Sequence, residues 1–412
     1  MAISLFANDN ATPTHSVRLP YETGYIDPLV NELRVLPQPI VSSQSIVLFE
    51  ASTGSILFQK NADIAIPPAS LTKLVVMALA LDYLQSKQIS LNNAVDIHPE
   101  AWAKNMPVRS SLMFLGPRQN CTWQDLLLGL AVDSGNDAAL EIALQISGNE
   151  AAFVQAMNDY CQKLGMKSTH FVEPSGYDEH NITNARDFSY FIWNYLNFHP
   201  QSIELYHSIR QFTYPHDDGN KSISQTNRNR LLFDYPGADG LKTGYIDESG
   251  YNLAFTAQRD GMRLAGVVLG GINEAQRFND AVGLLNYGFD QYTVKTLYYK
   301  DIQSIRIWNG SQAIIRLPDG NCKIVLPRSL ADDLTAQIKQ YHEIEGPLAA
   351  DAVVAWVHYQ NSAGKTLAVL PIRSGVEIQE TNFLSNWAEK IYLGIRSLIG
   401  HPWPKKIGQT LN

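Results

Sequence analysis

Three short strings along the chain hold side chains that could carry out acyl transfer through a serine. The first, Ser-Leu-Thr-Lys at 70–73, places a hydroxyl and an amine three positions apart, which is one face of a helix. The second, Ser-Gly-Asn at 134–136, supplies a hydroxyl and a carboxamide on a loop. The third, Lys-Thr-Gly at 242–244, supplies a cation and a second hydroxyl on an extended segment. Serine is a weak nucleophile until a base activates it, so these parts belong together chemically.

The sequence context separates these strings from chance copies. Ser-x-x-Lys recurs at 362–365 and Ser-Gly-Asn recurs at 147–149, but the first copy falls in a turn and the second between two helices. Ser70 instead follows two prolines and opens the apolar run 71–84, which predicts a buried helix. Ser134 and Asn136 lie between two apolar helical runs, where the alternative role is helix capping. The order of the three strings favours a common site.

Lys73 is the nearest base to the hydroxyl of Ser70, and it must be neutral to accept a proton. We expect partial burial and the cation of Lys242 to lower the pKa of Lys73. The alternative is a lysine on a solvated helix face. The apolar residues 74–77 that follow it argue against that alternative.

Length and composition limit the classes of protein that fit. The 412 residues exceed one typical core and predict at least two domains. The net charge of −8 argues against a nucleic-acid partner, for which a basic field is expected. The three cysteines (Cys121, Cys161 and Cys322) form no CxxC pair, and the histidines are scattered. We therefore expect no metal and no cofactor, and we leave open whether Cys121 and Cys161 pair.

The region 45–292 is predicted to be an antiparallel sheet covered by helices, which is an α+β fold. Hairpins are predicted where runs 46–49 and 56–59, and runs 251–258 and 263–269, flank short turns. Because the two hairpins come from opposite ends of the region, early and late strands would share one sheet. Helices are predicted at 71–84, 123–132, 137–146, 150–164, from 185 onward and at 274–292. Residues 1–44 are predicted to form an extended lead-in.

The remainder of the chain changes character twice. From 293 to 381, short alternating runs, the last of them at 376–379, predict a small β-rich domain. Residues 382–400 then place apolar side chains three and four apart, which predicts an amphipathic helix too short and too polar to span a bilayer. Such a helix, followed by Trp403 and two lysines, suits a membrane surface. The alternative is a helix docked on its own domain.

The three strings and the residues around them resemble one known family. The similarity extends to Pro-Ala-Ser-Leu-Thr-Lys at 68–73, Ser-Gly-Asn-Asp-Ala at 134–138, Asp-Gly-Leu-Lys-Thr-Gly at 239–244 and Gly-Tyr-Asn-Leu at 250–253. Over about residues 40–290 the chain resembles the low-molecular-mass penicillin-binding proteins, namely the D-alanyl-D-alanine carboxypeptidases of serine peptidase family S11. Tyr245 departs from the family, in which many members carry His at this position.

The resemblance implies a role for each site residue. Ser70 would attack the carbonyl between two D-alanines with Lys73 as base, and Ser134 would relay a proton to the departing amine beside Lys242. The oxyanion would lie between the backbone N–H groups of Ser70 and Tyr245. The residues expected to bind substrate are Asn136, Thr243, Gly244, Tyr245, Arg228 and Arg277.

The roles of the two arginines and of Asp187 have alternatives. Asn136 would hold a substrate amide, and Thr243 with the two arginines would receive the substrate carboxylate, although each arginine could instead form a surface ion pair. Asp187 would either order the loop beside the site or, as we expect, cap the helix that follows it.

The implied activity is removal of the terminal D-alanine from peptidoglycan stem pentapeptides through an acyl-enzyme, with β-lactams as slowly released inhibitors. The alternatives are a β-lactamase, a DD-endopeptidase of the same chemistry, or a non-catalytic penicillin-binding scaffold. Expected partners are stem peptides, β-lactams and a membrane surface. The substrate implies an extracytoplasmic location, in the periplasm or on the outer face of the cytoplasmic membrane, although residues 1–10 lack the charged and apolar regions of an export signal.

Overall fold

The structure, a computed structural model, describes residues 36–215, 222–299, 303–317, 320–331, 334–362, 364, 366–399 and 401–406. Most of the predicted lead-in, residues 1–35, lies outside the described residues, and residues 36–44 carry no helix or strand. The described residues from Pro37 to Asp290 form one compact unit, and those from Gln291 onward form another.

The first unit is built on a sheet of five antiparallel strands. The strands of this unit, in chain order, are β1 (Ser45–Glu50), β2 (Ile56–Lys60), β3 (Ala94–Val95), β4 (Cys121–Thr122), β5 (Gln211–Tyr214), β6 (Ile223–Thr226), β7 (Ala238–Ile246), β8 (Gly250–Arg259) and β9 (Met262–Gly271). The pairs β3–β4 and β5–β6 form two small sheets of their own. The order in the large sheet is β2-β1-β9-β8-β7, so early and late strands meet as the sequence predicts. The predicted α+β fold and both predicted hairpins are confirmed.

Helices cover this sheet and supply most of the core. They are α1 (Thr72–Lys87), α2 (Trp123–Leu128), α3 (Asn136–Ser147), α4 (Glu150–Lys163), α5 (Ala185–Phe198), α6 (Leu231–Asp234) and α7 (Glu274–Gln291). A further helix, α8 (Phe383–Leu398), belongs to the second unit. The first two turns of α1 are buried on every side, which explains why its sequence is apolar throughout and not amphipathic. The predicted helix 123–132 is shorter than expected, because after Leu128 the chain widens into a π-helical turn, Gly129–Asp133.

Sequence reasoning missed two strand pairs and left one cysteine question open. The β5–β6 hairpin was not predicted, because its residues are mostly polar and exposed. The two-residue β3–β4 pair is too short to give a periodic signal. Cys121 and Cys161 are both buried free thiols and do not pair.

The second unit is largely β-structure. Its strands are β10 (Tyr292–Tyr299), β11 (Ile305–Trp308), β12 (Ile314–Ile315), β13 (Gly320–Pro327), β14 (Thr335–Gln340), β15 (Glu343–Glu345), β16 (Val353–Gln360), β17 (Thr366–Arg373) and β18 (Lys405–Lys406). The strand predicted at 376–379 is wrong: Ile378 forms only an isolated bridge with Leu348. The alternating apolar residues of this segment imitate a strand, but within the described residues they have no neighbouring strand to pair with beyond that bridge.

One face of helix α8 packs on its own unit. Leu393 is buried, the carboxylate of Glu389 accepts the backbone N–H of Asn309 at 2.5 Å, and Arg396 pairs with Glu343 at 2.7 Å. This docking is the alternative that the sequence left open. Within the described residues, every helix is too short or too polar to cross a lipid bilayer.

Candidate active site

Ser70 lies in the single 3-10 turn Ala69–Leu71, from which α1 continues. Two glycines allow neighbouring segments to approach this turn closely. A Cβ on Gly176 would overlap the carbonyl of Ala69, and a Cβ on Gly244 would lie 3.1 Å from the backbone nitrogen of Ser70. The φ of Gly176 is +79°, a conformation that glycine adopts without strain. The turn is therefore held between β7 and the loop that precedes α5.

The amine of Lys73 is buried and hydrogen-bonded on three sides. Its Nζ lies 3.0 Å from Ser70 Oγ, 2.8 Å from Asn136 Oδ1 and 2.5 Å from the backbone oxygen of Ser175. The side chain is only 1% exposed, which excludes a solvated helix face. A neutral amine keeps two N–H bonds for Asn136 and Ser175, and its lone pair then faces the hydroxyl of Ser70. The arrangement suits transfer of a proton from Ser70 to Lys73.

Burial lowers the pKa of Lys73 to about 7. Removal from water is the largest cause, because it disfavours the charged ammonium, while the carboxylates of Glu173 and Asp137 partly oppose the shift. The cation that adds to the lowering is Arg228, whereas repulsion between the two lysines acts chiefly on Lys242. About half of the Lys73 side chains are neutral at pH 7 with such a pKa.

Ser134 and Asn136, from the second string, do not cap helix α3. Ser134 has a left-handed φ of +61° and follows the π-helical turn, while Asn136 is the first residue of α3. No side chain caps α3, since its N-cap is Gly135, so the capping alternative for Ser134 and Asn136 is wrong. Asn136 Nδ2 donates to Ser110 Oγ at 3.2 Å while its Oδ1 accepts from Lys73, which fixes the orientation of the amide.

Lys242 and Thr243 are buried side chains on β7, the edge strand that runs beside the Ser70 turn. Lys242 Nζ donates to the backbone oxygen of Thr243 at 3.1 Å, and within the described residues no hydrogen bond joins it to Ser70 or Ser134. Burial lowers the pKa of Lys242 well below its usual value, and the Lys73 ammonium is the largest electrostatic cause. The two lysines therefore share one site without touching.

The two arginines differ in their surroundings. Arg228 Nη1 donates to Ser111 Oγ at 3.0 Å, and no ion pair involves Arg228 in the described part of the chain. Arg277 is buried, donates to the backbone oxygen of Asn252 at 3.4 Å and pairs with Glu274 at 3.5 Å. Both charges lower the pKa of Lys242, so both arginines lie within electrostatic range of the site. The ion-pair alternative fits Arg277 only in part, because its partner is exposed.

Tyr245 stands at the exposed end of β7. It is 49% exposed, its hydroxyl donates to Asp247 Oδ1 at 2.5 Å, and its ring lies 4.4 Å from that of Tyr251. The side chain therefore borders the site on the solvent side, while its backbone continues the strand past Gly244.

Glu173 was not predicted as a site residue, although it orders the loop that carries Ser175. Its carboxylate accepts the backbone N–H groups of Ser175 and Gly176 at 2.6 and 2.5 Å and the side-chain amide of Asn181 at 2.8 Å. These bonds position the Ser175 carbonyl against the amine of Lys73. The sequence offers little by which to find it, since Glu173 is a single acid two residues before Ser175 and Gly176.

The capping role expected for Asp187 is wrong. The N-cap of α5 is Asn184, whose side chain accepts the backbone N–H of Asp187 at 2.7 Å. The carboxylate of Asp187 instead accepts from the backbone N–H of Ser168 and the hydroxyl of Thr169, at 2.7 and 3.0 Å. Asp187 thus ties an upstream segment to the helix.

Comparison with known proteins gives one consistent result. The family model described as D-alanyl-D-alanine carboxypeptidase matches residues 34–273. The chain is 32% identical over 373 residues to D-alanyl-D-alanine carboxypeptidase DacA of Escherichia coli (strain K12), covering 89% of each chain. Among solved structures, penicillin binding protein 5 from Haemophilus influenzae matches at 31% identity and a TM-score of 0.74, over 84% of this chain and 100% of that one. Penicillin-Binding Protein D2 from Listeria monocytogenes in the cefotaxime-bound form matches at 30% identity and a TM-score of 0.54, over 62% and 100%.

Proposed function

The chain belongs to the D-alanyl-D-alanine carboxypeptidase family, peptidase S11, and we propose that Ser70 is the nucleophile of its acyl transfer. It is a penicillin-binding serine peptidase that removes a terminal D-alanine. The observation that carries the assignment to Ser70 is the contact of its hydroxyl with a buried amine, Lys73 Nζ, at 3.0 Å. That amine has a pKa of about 7, which suits a general base at neutral pH.

Acylation begins with transfer of the Ser70 proton to neutral Lys73 as Oγ attacks the carbonyl carbon between the two D-alanines. The carbonyl oxygen becomes an oxyanion, for which the backbone N–H groups of Ser70 and Tyr245 are the donors. The close approach of Gly244 to the nitrogen of Ser70 supports this pairing, because it brings β7 alongside the turn. The amide of Asn136 holds a substrate amide while its oxygen keeps Lys73 in place.

Collapse of the tetrahedral intermediate breaks the C–N bond and requires a proton on the departing amine. Ser134 donates that proton and recovers one from the Lys73 ammonium, so the site returns to a neutral base. Lys242 stands beside this route as a cation. The substrate carboxylate meets Thr243 and the charges of Lys242, Arg228 and Arg277, which explains a preference for a free C-terminus. Water then attacks the acyl-enzyme and regenerates Ser70.

The peptide assay decides among activities that share this chemistry. The full chain, incubated with a pentapeptide ending in D-alanyl-D-alanine, should release D-alanine, and Ser70→Ala should release none. Fast turnover of penicillin without D-alanine release would favour a β-lactamase. Cleavage of cross-linked dimers without cleavage of free pentapeptides would favour an endopeptidase, and binding without any turnover would favour a scaffold.

The exposed face of α8 supports contact with a membrane surface. Trp387, Ile391, Ile395 and Leu398 are exposed on this helix, with Leu398 at 87%, while the opposite face docks on its own unit. An apolar helix face with no cover within the described residues costs free energy in water and gains it in the interfacial layer of a bilayer. We place the enzyme at the outer face of the cytoplasmic membrane, where its peptidoglycan substrate lies.

A further inference from the structure

Asp133 is a buried acid that the mechanism above does not use. It ends the π-helical turn Gly129–Asp133, directly before Ser134, and its side chain is only 2% exposed. Its Oδ1 has no hydrogen-bond partner among the described residues. A buried carboxylate oxygen without a donor is costly, and such groups are rare in folded proteins unless a function retains them.

The charged groups around Asp133 come from several elements. Asp137 of α3 repels its carboxylate, whereas Lys242 of β7 and Arg228, in the loop before α6, attract it. His207, in the π-helical segment Ile203–His207 packed on the same turn, is neutral, because burial lowers its pKa to about 3. Asp125 of α2 is engaged in the capping box of that helix. Lys242 and Arg228 are therefore the cations within electrostatic range of Asp133, and within the described residues neither forms an ion pair with it.

Lys242 is a buried cation that has no carboxylate hydrogen-bonded to it in the described part of the chain. Its ammonium is buried, and among the described residues it donates only to the backbone oxygen of Thr243. The positive charges of Lys73, Arg228 and Arg277 all disfavour its own charge. In the described part of the chain, Asp133 is the group whose charge favours the Lys242 ammonium. Each of the two buried groups thus lacks what the other offers.

We propose that Asp133 is a positioning residue whose carboxylate serves as the buried counter-ion of Lys242. It acts through Lys242, keeping that side chain protonated beside Ser134 although Lys73 nearby must be neutral. The inference rests on the proposed function, because a charged Lys242 is useful only if the site binds a carboxylate and moves a proton through Ser134.

The ionisation of Asp133 gives the proposal a pH signature. Burial and the charge of Asp137 raise its pKa to about 7, so the counter-ion forms as the pH rises through 7. Below pH 6 the carboxyl of Asp133 is mostly neutral, so the neutral amide of the Asp133→Asn variant has the same charge as the natural side chain. Above pH 8 the variant lacks a charge that the natural enzyme has, and Lys242 loses its proton at a lower pH.

The test is the rate at which a fluorescent penicillin acylates Ser70 in the full chain, measured from pH 5.5 to 9.0. Asp133→Asn should match the natural enzyme near pH 5.5, and its alkaline limb should lie about one pH unit lower, which is a roughly tenfold loss of rate at pH 9. Asp125→Asn, which also removes a buried carboxylate of this helical region, should leave the positions of both limbs unchanged. Equal rates at every pH, or a loss by one factor at every pH, would overturn the proposal.

A melting experiment covers the case of a folding defect. Because the folded pKa of Asp133 lies above its unfolded value, its ionisation destabilises the fold increasingly from about pH 4 to pH 7. Asp133→Asn should therefore melt at a higher temperature than the natural enzyme at pH 8, by a smaller margin at pH 5, and at nearly the same temperature below pH 4. A variant less stable at pH 8 would show a structural task for the carboxylate and contradict the proposal. Failure of Ser70→Ala to abolish labelling would instead refute the proposed function.

Discussion

Lys73→Arg tests whether a neutral amine activates Ser70. Arginine keeps the positive charge and the hydrogen-bond donors but does not lose its proton in proteins. A lysine with the ordinary pKa of 10.5 would be neutral in about 3 of 10,000 molecules at pH 7, whereas a pKa of about 7 makes half of them neutral. The buried site thus increases the fraction of Lys73 that is neutral at pH 7 by more than a thousandfold.

The assay is the second-order rate of Ser70 acylation by a fluorescent penicillin. In the natural enzyme the rate should rise about tenfold per pH unit below pH 6 and level off near pH 7 as Lys73 loses its proton, before the alkaline limb that follows loss of the Lys242 proton. Lys73→Arg should lower the rate at pH 8 by about 10²–10⁴, the range that a general base contributes. The matched control is Lys163→Arg on the exposed side of α4, which should leave the rate unchanged.

Two results would refute this reasoning. The first is a natural enzyme whose acylation rate is flat between pH 5 and 7, since the base would then titrate elsewhere. The second is a Lys73→Arg variant that retains a rate within a factor of ten, since a permanently charged side chain would then suffice.

Three further predictions concern other parts of the structure. Asn136→Ala removes the amide that orients Lys73, and we expect acylation to slow by about 10–100-fold, which corresponds to roughly 1–3 kcal/mol for an unsatisfied buried group. Gly244→Ala places a Cβ 2.8 Å from the backbone oxygen of Pro68, and we expect it to displace β7 from the Ser70 turn and to abolish acylation. Leu398→Glu charges the exposed face of α8, and we expect it to reduce flotation of the full chain with anionic liposomes at least tenfold.

The controls for these variants lie on the same elements or use the same substitution. Gly283→Ala in α7, where the nearest atom is 3.9 Å from the new Cβ, should be tolerated, whereas Gly244→Ala at natural activity would show that β7 does not contact the turn. Lys390→Gln on α8 should reduce flotation only slightly; equal flotation of the Leu398→Glu variant would argue that α8 does not insert. Retained acylation in Asn136→Ala would show that Ser175 alone holds Lys73.

The elements that the sequence predicted correctly have strong local signals. Both hairpins of the large sheet and the long helices α1, α3, α4 and α7 follow from apolar periodicity and turn residues, with ends within a few positions. The strand expected at 376–379 failed because alternation alone does not supply a neighbouring strand. The β5–β6 hairpin was invisible because its polar residues pair mainly through the backbone.

The site divides in the same way between local and distant information. The three strings identify the side chains that supply chemistry, but not the groups that tune them. Glu173 and Asp133 act through contacts or charges on residues about 100 positions away, which one sequence does not reveal. The sequence predicted that the charge of Lys242 lowers the pKa of Lys73, whereas in the structure the cation with this effect is Arg228. The position of Arg228 depends on the fold, so the sequence did not indicate it.

The central claim is that the hydroxyl of Ser70 forms the covalent intermediate. Its most direct test is mass spectrometry of the full chain after a brief reaction with penicillin, followed by proteolysis and mapping of the adduct. A single penicilloyl group on the peptide that contains Ser70, absent from Ser70→Ala, is the predicted result. An adduct on Ser134 or any other residue, or one that persists in the Ser70→Ala variant, would contradict the account.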